Sequence, residues 1–187
     1  MRICKPHTIG LIVDLQEKLF PVMSDREELL ANCTKLVKGL QILGIPLLVT
    51  QQYSKGLGET IQEISSLIPG FSSIEKRDFS CCGEAEVISR LKELNAENVL
   101  ICGIESHVCV MQTALDLKGY GFNPVIVADA VSSRSPLSID LAKERFRHEG
   151  IMMTSVESIL FELTGSSLAP EFKSVSNLLK GTVIGNQ

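Results

Sequence analysis

The stretch Gly103-Ile104-Glu105-Ser106-His107-Val108-Cys109 puts a sulfur nucleophile where its chemistry can be promoted. The apolar run Val99 to Cys102 before it reads as a strand, and Ser106 to Lys118 reads as a helix, with Ser106 a suitable N-cap and Cys109 on the first turn. A helix start offers unpaired N–H groups and positive potential. Both favour thiolate over thiol, and the same amides could stabilise the oxyanion formed when sulfur attacks a carbonyl. The plainer use of a cysteine is as a small buried hydrophobe, and only position sets Cys109 apart.

Two further residues have types that would complement such a thiol. Asp14 ends the run Gly10-Leu11-Ile12-Val13, where a central strand opens into its loop. There a carboxylate acts either as a turn former or N-cap, or as an acid and base whose proton affinity is set by partial burial. Lys76, in Ile74-Glu75-Lys76-Arg77-Asp78-Phe79, occupies a segment that reads as a short strand leading into a loop. A lysine is ordinarily a solvated charge, but an ammonium beside a thiol lowers the sulfur's pKa. Spacing does not bring the three together.

The elements that would position them follow an alternating pattern. Short β-branched runs at Thr8 to Val13, Pro46 to Thr50, Val99 to Cys102, Pro124 to Ala128 and Ile151 to Thr154 are each followed by a segment of helical period. Asp25 to Leu43, Glu84 to Leu94, Ser106 to Lys118 and Leu137 to His148 read as helices, and Ser155 opens a short last one. This is the pattern of an α/β fold with a parallel sheet covered on both faces. The loops at 53–59 and 69–82 begin near strand ends and should border any site. No repeat or long linker interrupts the alternation, so 1–187 reads as one domain, with a weakly patterned tail at 166–187 that is peripheral or contacts a partner.

Composition narrows the partners. The net charge of −4, with 18 basic and 22 acidic residues interspersed, provides no basic stripe for nucleic acid or an anionic membrane. The six cysteines, at 4, 33, 81, 82, 102 and 109, form no CxxC pair, and a reduced, cytoplasmic compartment fits them best. The apolar segment before Asp14 is too short for a signal or membrane span. Cys81-Cys82 reads as packing or loop.

Taken together, Leu11-Ile12-Val13-Asp14-Leu15-Gln16, Glu75-Lys76-Arg77-Asp78-Phe79-Ser80 and the Gly103 to Val110 segment resemble the isochorismatase-like cysteine hydrolases. The similarity runs from about Thr8 to Glu162, and the loop Thr50 to Gly58 looks most like the isochorismatase-domain-containing hydrolases of undefined substrate. The resemblance implies a Rossmann-like three-layer α/β/α fold with a six-stranded, mostly parallel sheet. It implies a catalytic triad of Asp14, Lys76 and Cys109 at the sheet's carboxyl edge. It also implies a cis peptide between Ile104 and Glu105, which aims the Glu105 amide, with that of Cys109, into an oxyanion hole.

The chain departs from the nicotinamidase members of that family, which place a metal-binding Asp and histidines after the second strand, where this chain has Gln51, Gln52 and Tyr53. Its three histidines, His7, His107 and His148, all fall elsewhere, so no metal and no other cofactor is expected. Gln16, Phe20, Gln52, Tyr53 and Phe79 flank the triad segments or the loop after the second strand and are candidate substrate contacts, and His107 reads as site-lining or structural. Phe20 and Phe79 read equally well as core. The expected activity is hydrolysis of a small amide or related C–N bond through a thioester. The competitors are cleavage of a vinyl ether of the isochorismate type and a binding or assembly module with a redox-sensitive thiol. The family commonly forms dimers or larger rings, so a homo-oligomer acting on a small molecule is expected.

Overall fold

A computed structural model describes residues 2–181. Strand β1 (Thr8–Val13) leads through a 3-10 turn at Phe20–Val22 into helix α1 (Arg26–Ile42), which returns the chain to β2 (Leu47–Gln52). Two single helical turns, α2 (Ser54–Leu57) and α3 (Gln62–Ser65), precede the short β3 (Ile74–Lys76). A 3-10 turn at Cys81–Gly83, α4 (Ala85–Glu93) and β4 (Asn98–Ile104) follow, then a π-helical turn at Ser106–Val110, α5 (Met111–Gly119) and β5 (Asn123–Ser132). The chain ends its described course through α6 (Pro136–His148), β6 (Met152–Thr154), α7 (Val156–Thr164) and α8 (Phe172–Leu179).

The strands form one six-stranded sheet in the order β3-β2-β1-β4-β5-β6, and every neighbouring pair is parallel. Side chains alternate across it. Ile9, Leu11 and Val13 of β1 join Val99 and Ile101 of β4 under α4, α5 and α6, while Ile12, Leu100, Cys102 and Ile104 face α1 and α7. Both faces being covered, β1 and β4 are buried at every position, which is why they read as continuous apolar runs. This is the three-layer α/β/α architecture expected from the residue pattern.

Local chemistry explains most boundaries. Helix α1 stops where Gly44 takes a φ of 69° and the Ile45 amide bonds back to Leu40 O at 2.9 Å. Ser155 caps α7, its hydroxyl accepting from the Ser158 amide at 3.2 Å. Two boundaries differ from the sequence expectation. Strand β5 does not end near Ala128 but continues to Ser132, because its register against β4 shifts between Ile101 and Gly103 and the chain bulges through Asp129 and Ala130. The segment after β4 is not an α-helix capped by Ser106. It starts with a π turn whose N-cap position is Glu105, and the buried Ser106 hydroxyl has no hydrogen-bond partner. The tail packs on its own chain as far as it is described: α8 lies against α1 and α7, Val175 is fully buried, and Lys5 pairs with Glu171 at 2.9 Å. Residues 182–187 of that tail lie outside the described residues. Among the described residues no helix is long and apolar enough to cross a membrane.

Candidate active site

The order of the sheet reverses between β1 and β4, which run side by side although their crossovers leave in opposite directions. Loops at such a switch point part beyond the carboxyl ends of the strands and leave a crevice. Asp14 immediately follows β1, and Cys109 lies in the π turn after β4, so the switch point brings both to one place. Their backbones are close because Gly103, with a φ of 114°, has no side chain: a Cβ there would stand 2.0 Å from Val13 O. Lys76 arrives from β3, two strands away. Its ladder partner is Gln52 on β2, and the long side chain reaches across that strand to Asp14.

The three groups form a buried cluster. Lys76 Nζ is 2.6 Å from Asp14 Oδ2, with both side chains fully buried. The ammonium also donates to Gln52 Oε1 at 2.6 Å, Phe79 O at 3.0 Å and Asp78 O at 3.2 Å. Asp14 Oδ1 accepts from the Thr50 hydroxyl at 2.9 Å. Its Oδ2 meets the ammonium as a close ion pair but outside hydrogen-bond angles, so a lone pair on that oxygen stays free. Cys109 is 6% exposed and sits close enough to Asp14 for the carboxylate's charge to act on its thiol.

Burial dominates the proton affinities. It pushes the Asp14 carboxyl above its usual range, against the pull of Lys76, Thr50 and Cys109. Burial also opposes the Lys76 charge, but the Asp14 carboxylate outweighs it and holds the ammonium above the ordinary lysine value. Cys109 is pushed up to about 12, by burial first and then by the negative charge of Asp14, with Lys76 acting the other way. Burial and the neighbouring carboxylate therefore work against the thiolate that the helix start favours. The cluster thus sets a sulfur beside a carboxyl group that is paired with an ammonium.

The surrounding loop supplies directed groups. Glu105 O accepts from the Val108 amide at 3.0 Å and the Val110 amide at 3.2 Å, passing over Cys109 between them. The Ile104–Glu105 peptide is cis. The Glu105 side chain is not idle: Oε2 accepts from Arg134 Nε at 3.1 Å and the Arg134 amide at 3.2 Å, tying the π turn to the loop after β5. His107 Nδ1 lies 2.9 Å from Ser133 Oγ, which fixes the ring against that same loop.

The candidate substrate contacts divide by what their polar atoms already do. Gln16 is fully buried and saturated: its amide nitrogen donates to Gln52 O at 3.0 Å and Gly58 O at 2.7 Å, and its oxygen accepts from the Gln52 amide at 2.8 Å. It clamps the loop after β2. Gln52 orients Lys76 and donates to Arg77 O at 2.7 Å. Phe20 packs against the core on the α1 side. Phe79, 55% exposed, and Tyr53, 40% exposed beneath the Arg77 guanidinium at 4.3 Å, are the open aromatic surfaces near Lys76. The cleft lined by Ser24, Asp25, Asp129 and Lys143 contains none of Asp14, Lys76 and Cys109. Among the described residues no group of three or more His, Cys, Asp or Glu side chains is arranged to hold a metal ion.

Sequence reading missed Thr50 and Cys81. Cys81 is fully buried with its Sγ 3.5 Å from Thr50 Oγ1, so it belongs to the surroundings of Asp14 rather than to loop packing alone. No signal along the chain pointed to either residue, and the Cys81-Cys82 adjacency read as packing or loop.

Fold and cluster together define a three-layer α/β protein with a thiol, a carboxylate and an ammonium gathered at the switch point of a parallel sheet. The chain belongs to the isochorismatase-like hydrolase family, whose isochorismatase domain profile matches residues 8–158. Isochorismatase domain-containing protein 1 of Salmo salar is 39% identical over 177 residues, covering 94% of this chain. The chain spans 62% of the length of that relative. The Caenorhabditis elegans protein described as MAR1 ribonuclease superposes with a TM-score of 0.91 at 35% identity, over 100% of this chain and 95% of that one. The Escherichia coli YcaC gene product, described as an octameric hydrolase of unknown specificity, shares the fold with a TM-score of 0.85 at 20% identity, over 97% and 96% of the two chains.

Proposed function

We propose that Cys109, Asp14 and Lys76 hydrolyse a small amide or related C–N bond through a thioester. The observation that carries the reading is the buried Lys76–Asp14 pair at 2.6 Å, which leaves one carboxylate oxygen without a hydrogen-bond partner. Attack on the substrate carbonyl forms the C–S bond as the thiol proton passes to Asp14 Oδ2. The carbonyl oxygen becomes an oxyanion facing the amides of Glu105 and Cys109. Collapse of this intermediate breaks the C–N bond, and Asp14 returns the proton to the leaving amine. Water then attacks the thioester with Asp14 again as base, and the departing sulfur regains a proton. Lys76 stays charged throughout, so the carboxylate remains a base when the pocket is closed to solvent.

The assay is release of ammonia or amine from a panel of small amides, ureides and carbamoyl compounds. Cys109→Ala should lower turnover by about 10³-fold or more while the fold persists. A folded, fully active C109A variant would overturn the mechanism. Isochorismate belongs in the panel: pyruvate release undiminished in C109A would move the chemistry to Asp14 as an acid on a vinyl ether. RNA belongs there too, because the Caenorhabditis elegans relative is described as a ribonuclease. The net charge of −4 argues against that substrate. We also propose a homo-oligomer in the cytoplasm, in keeping with the octameric YcaC relative, and sedimentation velocity would test the assembly.

A further inference from the structure

Asp14 has two oxygens, and the proposed reaction uses one. The other is engaged by a chain of side chains outside the triad. The main chains set it up: Val13 pairs with Thr50 in the β1–β2 ladder, and the Asp14 amide donates to Thr50 O at 3.3 Å, so the Asp14 side chain leaves its strand beside that of Thr50. Thr50 Oγ1 then donates its single proton to Asp14 Oδ1 at 2.9 Å. With that proton committed, the contact at 3.5 Å between Thr50 Oγ1 and Cys81 Sγ has one polarity, the thiol donating to the hydroxyl. Cys81 is held in turn, its amide donating to Thr113 Oγ1 of α5 at 2.9 Å. Asp14, Thr50, Cys81 and Thr113 are all fully buried, so no water competes for these bonds.

We propose that the Thr50 hydroxyl, held by the Cys81 thiol, is the positioning group of this site: it occupies Asp14 Oδ1 and leaves Oδ2 as the oxygen that takes the Cys109 proton. The proposal rests on Asp14 being the proton acceptor for Cys109. Four groups face the carboxylate: Lys76 from β3, Thr50 from β2, Cys81 from the 3-10 turn at Cys81–Gly83 and Cys109 from the π turn. Lys76 and Thr50 favour the ionised form, but they do different work. The ammonium supplies charge, whereas the hydroxyl supplies direction, since a β-branched residue in a strand has little χ1 freedom. Burial keeps Cys81 a thiol, pushed up to about 11, so the donor at the far end of the chain persists across neutral pH. Without Thr50 the carboxylate would be free to rotate and to turn Oδ2 away from the sulfur.

The test is Thr50→Val, which keeps the branched shape and removes the donor, compared with Thr50→Ser, which keeps the donor. The Asp14 carboxyl carbon is titrated by NMR and kcat/KM is followed against pH. T50V should move the Asp14 midpoint and the acid limb of the profile upward by about one pH unit. It should also lower kcat at least 10-fold above that limb while KM stays within about 3-fold, and T50S should restore both. Cys81→Ala should shift the midpoint in the same direction by less, and Cys81→Ser should not, which keeps the idea testable if T50V does not fold. An Asp14 midpoint unmoved in T50V, or in C81A where T50V fails, overturns the positioning role. The carboxyl titration needs no turnover, so that result is distinct from an active C109A chain, which would instead overturn the thioester mechanism.

Discussion

Replacing Lys76 with methionine removes the one positive charge that touches a fully buried carboxylate. The substitution keeps the length of the side chain and deletes four contacts, to Asp14 Oδ2 and Gln52 Oε1 at 2.6 Å, Phe79 O at 3.0 Å and Asp78 O at 3.2 Å. Breaking a buried pair by removing one partner costs about 3–5 kcal/mol, because the other charge is left in low dielectric. That is a large share of the roughly 5–15 kcal/mol that holds an ordinary domain together. The size of the loss does not by itself identify its cause, but its pH dependence does. With Lys76 gone, burial raises the folded-state pKa of Asp14 further above its unfolded value near 3.9. Such a group contributes stability that is present in full below the unfolded pKa and is lost as pH rises through the folded one. The K76M penalty should therefore be largest at pH 7.5 and shrink as the solution is acidified toward pH 5, as Asp14 takes up a proton. Urea unfolding at both pH values, with the slope of the transition checked for constancy, measures this. Asp14→Asn in the K76M background should recover about 2 kcal/mol or more at pH 7.5, since no buried charge then remains. A penalty equal at the two pH values and unrelieved by D14N would refute the account of a charge pair that must be buried together.

The pH profile of the wild-type chain tests the proton arrangement. Asp14 has to be ionised to accept the thiol proton, so kcat/KM should rise with pH through a midpoint above the ordinary aspartate value near 3.9, with no second rise near 8.5. Iodoacetamide labelling of Cys109 should likewise show no midpoint at 8.5, since the thiol is pushed up to about 12, and a midpoint well below 8.5 would instead show the thiolate that the helix start favours. Gly103→Ala should destabilise the chain by more than about 3 kcal/mol, because the new Cβ would meet Val13 O at 2.0 Å in a backbone conformation with a φ of 114°. A G103A melting temperature within a few degrees of the parent would contradict the close approach of β1 and β4.

The sequence by itself determined the architecture, because helix and strand periods are local and the glycines that end elements act within one turn. The strands at Thr8–Val13 and Val99–Cys102 and the helices α1, α4 and α6 were legible for that reason. So was Cys109, whose segment carries its own specificity. Asp14 could be seen at a strand end and Lys76 in a short strand, each with an ordinary explanation beside it. Only the tertiary structure decided that they meet, since strand order is a non-local property: placing β4 beside β1 joins Cys109 to Asp14, and placing β3 beyond β2 puts Lys76 within reach across an intervening strand. It also decided the surroundings of the sulfur. Helix-start potential is a local cue for a thiolate, whereas the burial that overrides it comes from everything packed around Cys109. The role of Thr50 and Cys81 was hidden for the same reason. Nothing in their neighbours along the chain distinguishes them, and their contact with each other and with Asp14 exists only once β1, β2 and the turn at Cys81–Gly83 have been brought together.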